Sequence, residues 1–132
     1  MIRFAVPLLV LATAATGAAS EQKVPLSDEA KIALELKGLT PGKPQNCVRS
    51  DRITETRGFE KEILFIEGRN KVWRNTTRGT CSGLKRDDIP VFRTFGRQYC
   101  ASDTVHTRSR TGGMMTGSCS LGEFVPYTES GA

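Results

Sequence analysis

Histidine and aromatic residues are scarce in this chain. One histidine, His106, and one tryptophan, Trp73, stand among 132 residues. A single histidine denies the chain the His clusters that hold zinc or iron, and it leaves one imidazole for acid–base work. There is no Cys-x-x-Cys: the four cysteines are 19 to 34 residues apart, which argues against close-paired thiolate metal ligation. No serine sits in a Gly-x-Ser-x-Gly elbow, the strained turn that presents a nucleophile in many hydrolases. Paired carboxylates are no more suggestive. Asp87-Asp88 lies in a polar loop beside Lys85 and Arg86, and Glu60 and Glu62 flank a strand. Glycosidase chemistry needs two carboxyls held across a cleft. No internal repeat or low-complexity segment is present, and no cofactor is implied.

What is present begins at the N-terminus. Met1-Ile2-Arg3-Phe4 leads into the apolar run Ala5 to Ala12, then into the small residues Thr13 to Ser20. A cationic start, a short apolar core and an Ala-rich end make a secretory signal peptide over residues 1–20, cleaved after Ala19 or Ser20. The apolar core is too short to span a bilayer, so the mature chain carries no transmembrane anchor. No cysteine lies near the cleavage site to accept lipid. Removing 20 of 132 residues leaves about 112, a one-domain length. Export delivers Cys47, Cys81, Cys100 and Cys119 to an oxidising compartment, where an even number implies disulfides. The expected location is periplasmic or secreted.

Three pairings are open to four cysteines. The nested scheme, Cys47–Cys119 with Cys81–Cys100, is favoured: Cys47 opens the β region and Cys119 nearly closes it, while Cys81 and Cys100 flank an irregular middle.

Residues 21–46 differ from the rest and read as an arm. Ser27 can cap a helix over Asp28 to Lys37, with Asp28 and Glu29 suited to its first turn. Ile32 and Leu36, one turn apart, give it an apolar edge. Gly38 stops it and Pro41-Gly42-Lys43-Pro44 prevents continuation. The arm either docks on the domain or stays partly mobile.

From Cys47 the pattern becomes strand-like. Glu62-Ile63-Leu64-Phe65-Ile66-Glu67, the turn Gly68-Arg69-Asn70 and Lys71-Val72-Trp73-Arg74-Asn75 form the clearest hairpin. Four consecutive apolar residues predict burial of that strand on both faces. Thr104 to Arg108, turning at Gly112-Gly113 and returning from Met114 to Cys119, form a second. Six to eight short strands over residues 47–127 predict a mainly β domain, a small disulfide-stapled sandwich or barrel-like roll. Residues 128–132 are left as a tail.

Charge is uneven. The formal net charge is +5, or +4 once Arg3 leaves with the signal. Between Arg69 and Arg97, eight basic residues face only Asp87 and Asp88. A basic face built from Arg69, Lys71, Arg74, Arg78, Arg93 and Arg97 would attract an anionic envelope component; the plainer alternative is an Arg-rich solvated surface. Trp73 beside Arg74 could stack a sugar or base, but an anchor of a small core fits it better. Asn75-Thr76-Thr77 matches the N-glycosylation pattern, though the short Ala-rich leader has a bacterial character. An enzyme would need a site assembled from His106, Asp103 and Asp51.

Several short segments, taken in order, carry a resemblance. They are Cys47-Val48-Arg49, Arg52-Ile53, Trp73-Arg74-Asn75, Cys81-Ser82-Gly83-Leu84, Tyr99-Cys100 with Asp103-Thr104-Val105, and Cys119 through Pro126. Together they resemble a family of small exported proteins of Gram-negative bacteria whose function is unknown. The resemblance implies an envelope setting and a one-domain product, and it brings no catalytic residue. The expectation is a non-enzymatic periplasmic or secreted domain that binds an envelope component or envelope protein, in its most specific form a modulator of an envelope hydrolase.

Overall fold

A computed structural model describes residues 24–129, together with Ala12, Ala14 and Gly17. Apart from those three residues, the signal peptide lies outside the described residues, as do its cleavage site and the last three residues. In chain order the elements are α1 (Asp28–Glu35), β1 (Leu39–Pro41), β2 (Cys47–Arg49), a 3-10 turn (Ser50–Arg52), β3 (Glu55–Gly58), β4 (Glu62–Glu67) and β5 (Lys71–Thr76). A second 3-10 turn (Ser82–Arg86) follows, then β6 (Ile89–Arg93), β7 (Gln98–Cys100), β8 (Thr104–Arg108), β9 (Met115–Ser120) and β10 (Phe124–Glu129). The protein is mainly β, as expected, in a sandwich-like arrangement.

The β4–β5 hairpin organises everything else. It lies inside a five-stranded antiparallel sheet of order β1-β10-β5-β4-β3. Because side chains alternate along a strand, Ile63 and Phe65 point to one face and Leu64 and Ile66 to the other. Both faces are covered. Leu64 and Val72 are buried under Ile32 and Leu36 of the helical segment, with Ile66 and Tyr127 packed alongside. Ile63, Phe65 and Trp73 are buried with Val48, Leu84, Val105, Leu121 and Phe124. That second cluster is closed by the two smaller sheets, β2-β7 and β6-β8-β9. Phe65 is its aromatic centre, with ring centroids 5.5 Å from Phe92, 5.4 Å from Tyr99 and 5.2 Å from Phe124. Burying a side chain of this size contributes about 1.5–3 kcal/mol.

The arm docks. Ser27 Oγ accepts from Ala30 N at 3.2 Å, and the helix ends at Glu35, two residues earlier than the pattern predicted. Gly38 then takes a positive φ that a side chain would disfavour, and the chain turns directly into β1. That strand pairs with β10, Leu39 opposite Glu129 and Pro41 opposite Tyr127. The Pro/Gly-rich stretch that ends the helix therefore opens on an edge strand, where proline's missing N–H does little harm. After β5 and an irregular stretch, residues Ser82–Arg86 make a 3-10 turn.

The nested disulfide scheme is wrong. The bonds are Cys47–Cys100 and Cys81–Cys119, the crossed pairing. Cys47 and Cys100 are opposite each other in the β2–β7 ladder. Cys119 faces the core from β9, where Cys81 enters just ahead of the second 3-10 turn; both are buried. The chain entering β2 does lie beside the last strand, since Gln45 bridges Phe124. Backbone hydrogen bonds make that connection, so no sulfur is needed for it.

One buried polar side chain stitches the hairpin to the C-terminal strand. Asn75 is fully buried. Its Nδ2 donates to Gly122 O at 2.8 Å, and its Oδ1 accepts from Gly122 N at 2.9 Å. The amide thus completes a backbone segment that lacks a strand partner. The same burial removes Asn75 from any glycan-acceptor role in the folded chain.

Candidate functional site

The five arginines and one lysine offered as one basic face do not share one. Lys71 and Arg74 are three apart on β5, so they leave it on opposite faces. Lys71 lies on the Trp73 side, its Nζ 4.4 Å from the indole centroid and 3.9 Å from Glu67. Arg74 lies on the helix side, where Nε and Nη2 donate to the two oxygens of Glu62 at 2.6 and 3.1 Å. That hydrogen-bonded carboxylate raises the Arg74 pKa well above arginine's ordinary value, against the opposing effect of partial burial. Arg69 sits in the β4–β5 turn. Arg78 follows β5 and exchanges backbone hydrogen bonds with Ser120. Arg93 ends β6, and Arg97 lies in the loop before β7. Lys85 and Arg86, from the same stretch, face Glu60 at 3.7 Å and Asp88 at 3.8 Å.

Trp73 is a core residue. It is 4% exposed and donates from Nε1 to Glu67 Oε2 at 2.7 Å. Its ring is covered by Lys71 and is closed to a stacking ligand.

His106, Asp103 and Asp51 are not brought together as a catalytic set. Asp103 accepts from Cys100 N at 2.8 Å and caps the turn between β7 and β8. Asp51 accepts from Arg49 Nε at 3.1 Å and Nη2 at 2.7 Å. Those hydrogen bonds hold its carboxyl below the usual range. His106 is at the middle of β8, and its Nδ1 is shielded from solvent with no hydrogen-bond partner. Among the described residues no group of three His, Cys, Asp or Glu is placed to hold a metal ion.

Two surfaces remain after this accounting. The first is the outer face of the β6-β8-β9 sheet. Register places Ile89 opposite Arg108, Val91 opposite His106 and Arg93 opposite Thr104, with Met115, Ser118 and Ser120 completing the rows from β9. The inner face of the same strands carries Phe92, Val105, Thr107 and Cys119. On the outer face Ile89, Val91 and Met115 are exposed apolar side chains. Arg93 and Arg108 have no carboxylate partner among the described residues, and none of the nine residues is acidic.

The second surface is a groove of about 290 Å³ where β2 and its 3-10 turn meet the turn end of the β4–β5 hairpin. Gln45, Arg49, Arg52, Glu67 and Lys71 line it, with Trp73 at its floor. Arg49 and Arg52 lie outside the basic stretch on which the sequence reading rested. They come from a segment about twenty residues earlier, and only the sandwich sets them beside Lys71. Comparison with known proteins gives no match to this chain among family models, curated proteins or solved structures.

Proposed function

We propose that this chain is an exported, non-enzymatic β domain that binds an acidic envelope protein through the outer face of its β6-β8-β9 sheet. A modulator of an envelope hydrolase is the specific form of this reading. The observation that carries it is the composition of that face: three exposed apolar side chains, two arginines without acidic partners and no carboxylate. Sheet faces open to water normally carry polar residues in alternation with a buried face, and exposed apolar residues grouped together mark interaction surfaces. Unpaired cations at their edges steer an acidic partner and exclude a basic one.

Export is supported by the leader, by two disulfides and by the resemblance to small exported Gram-negative proteins. Among the described residues no helix is long and apolar enough to cross a membrane.

The test uses tagged mature protein as bait in periplasmic extract, beside a Val91→Glu/Arg93→Glu variant. The expected result is a discrete captured protein that is lost with the variant and weakened by salt. Capture that is indifferent to both changes would refute this face as the binding surface.

A further inference from the structure

We propose that the groove between β2 and the β4–β5 hairpin is a binding site for a small oxyanion, a phosphate group held by Arg52 and Lys71. The inference is independent of the protein-binding face, which lies on a different sheet. It rests on what each charged group in the groove is already doing.

Three cations and one carboxylate line the groove. Arg49 has two guanidinium nitrogens engaged by the Asp51 carboxylate, so it adds little. Glu67 commits Oε2 to Trp73 Nε1 at 2.7 Å. Lys71 is held loosely, with Nζ 3.9 Å from that same oxygen and 4.4 Å from the Trp73 ring centroid. At such a distance the contact with Glu67 is an ion pair without a hydrogen bond. Arg52 is exposed and makes no ion pair or side-chain hydrogen bond among the described residues, because the neighbouring Asp51 is taken by Arg49.

The groove thus holds one free guanidinium and one ammonium with unused donors, two available positive charges against the single carboxylate of Glu67, whose Oε2 accepts from the Trp73 indole. A planar guanidinium beside an ammonium suits a phosphate, with the fork taking two oxygens and the point charge a third. The Gln45 amide supplies a neutral donor at the rim. The volume, about 290 Å³, is at the small end of ligand sites, which suits a headgroup-sized anion.

Trp73, the only tryptophan in the chain, reports directly on occupancy. Drawing Lys71 off the indole toward an anion changes the charge over the ring and hence its emission. Inorganic phosphate is titrated into the oxidised mature protein at low ionic strength, with sodium chloride at matched ionic strength as the control. A second arm uses phosphatidylglycerol vesicles, read by cosedimentation, and distinguishes a lipid phosphate from a free one.

The expected result is saturable binding in at least one arm, weakened at least tenfold by Arg52→Gln and by Lys71→Gln and unchanged by Arg110→Gln on the distant β8–β9 hairpin. Arg52 has no structural bond to lose, so Arg52→Gln should fold normally. The proposal is overturned if neither arm saturates, if chloride produces the same response, or if Arg52→Gln binds as the parent does.

Discussion

Replacing Asn75 by alanine tests whether a single amide holds the C-terminal strand in place. The side chain makes two hydrogen bonds, at 2.8 and 2.9 Å, to the carbonyl and amide of Gly122, in a fully buried setting. Alanine leaves both Gly122 groups buried without partners. Each costs about 1–3 kcal/mol, so the loss should be about 2–6 kcal/mol, a large part of the stability of an ordinary domain. At roughly 4–8 °C per kcal/mol for a domain near this size, the melting temperature should fall by about 8 °C or more. Urea unfolding followed by Trp73 fluorescence, with disulfides intact, gives the free energy directly.

A second substitution fixes the mechanism. Asn75→Asp keeps the acceptor for Gly122 N but sets a carboxylate against the Gly122 carbonyl. Burial raises that carboxyl's folded-state pKa above its unfolded value. The penalty is therefore full at neutral pH and is relieved as pH falls through the folded pKa, when the protonated acid can donate. Asn75→Asp should thus gain stability relative to the parent as pH is lowered from 7 toward 4. An Asn75→Ala protein within 3 °C of the parent, or an Asn75→Asp deficit independent of pH, would refute the argument.

The other expectations are simpler. Peptide mapping without reduction should recover Cys47–Cys100 and Cys81–Cys119. Under mild reductant Cys47–Cys100, which is only half-buried, should open first, and differential alkylation would show it; equal rates would contradict the burial difference. In the loop-entropy account each bond is worth about 4 kcal/mol taken singly. Trp73 emission should be blue-shifted and resist iodide. By NMR Asp51 should titrate below an ordinary aspartate and return to the usual range in Arg49→Gln. Its folded pKa is depressed, so its contribution is present above the unfolded pKa and lost as pH falls through the folded one; the pair is exposed, so added salt should shrink the difference. Gly83→Ala should destabilise strongly, because a Cβ there would come within 3.0 Å of oxygens on Asp88, Thr107 and Thr116.

What the sequence conveyed follows from the range of the interactions involved. Ile63 to Ile66 announced a strand buried on both sides because solvation acts residue by residue. Ser27 and Gly112-Gly113 announced a cap and a turn because those depend on local dihedrals; both glycines take positive φ. The partners of charges were not legible. Glu62 reaches Arg74 across a hairpin register, and Lys85 meets Glu60 from another element. Counting charge along the chain therefore overstated the basic face. The pairing of cysteines failed for the same reason, since it depends on how three sheets stack. The groove was hidden because Arg52 and Lys71 are 19 positions apart.

The crossed bonds bear on how the chain must be oxidised. A chain entering an oxidising compartment N-terminus first presents Cys47, then Cys81, and only later Cys100 and Cys119. If oxidation runs ahead of folding, the first partner for Cys47 is Cys81, and the leftover pair is Cys100 with Cys119. Both of those bonds are non-native. Escape requires thiolate attack on a formed disulfide and exchange through mixed intermediates, which is slow without an isomerase. In such a compartment a disulfide isomerase, more than an oxidase, should therefore set the yield of the natively bonded form. Neither bond can be native until the chain has emerged as far as Cys100, by which point the whole β4–β5 hairpin is available to guide the choice.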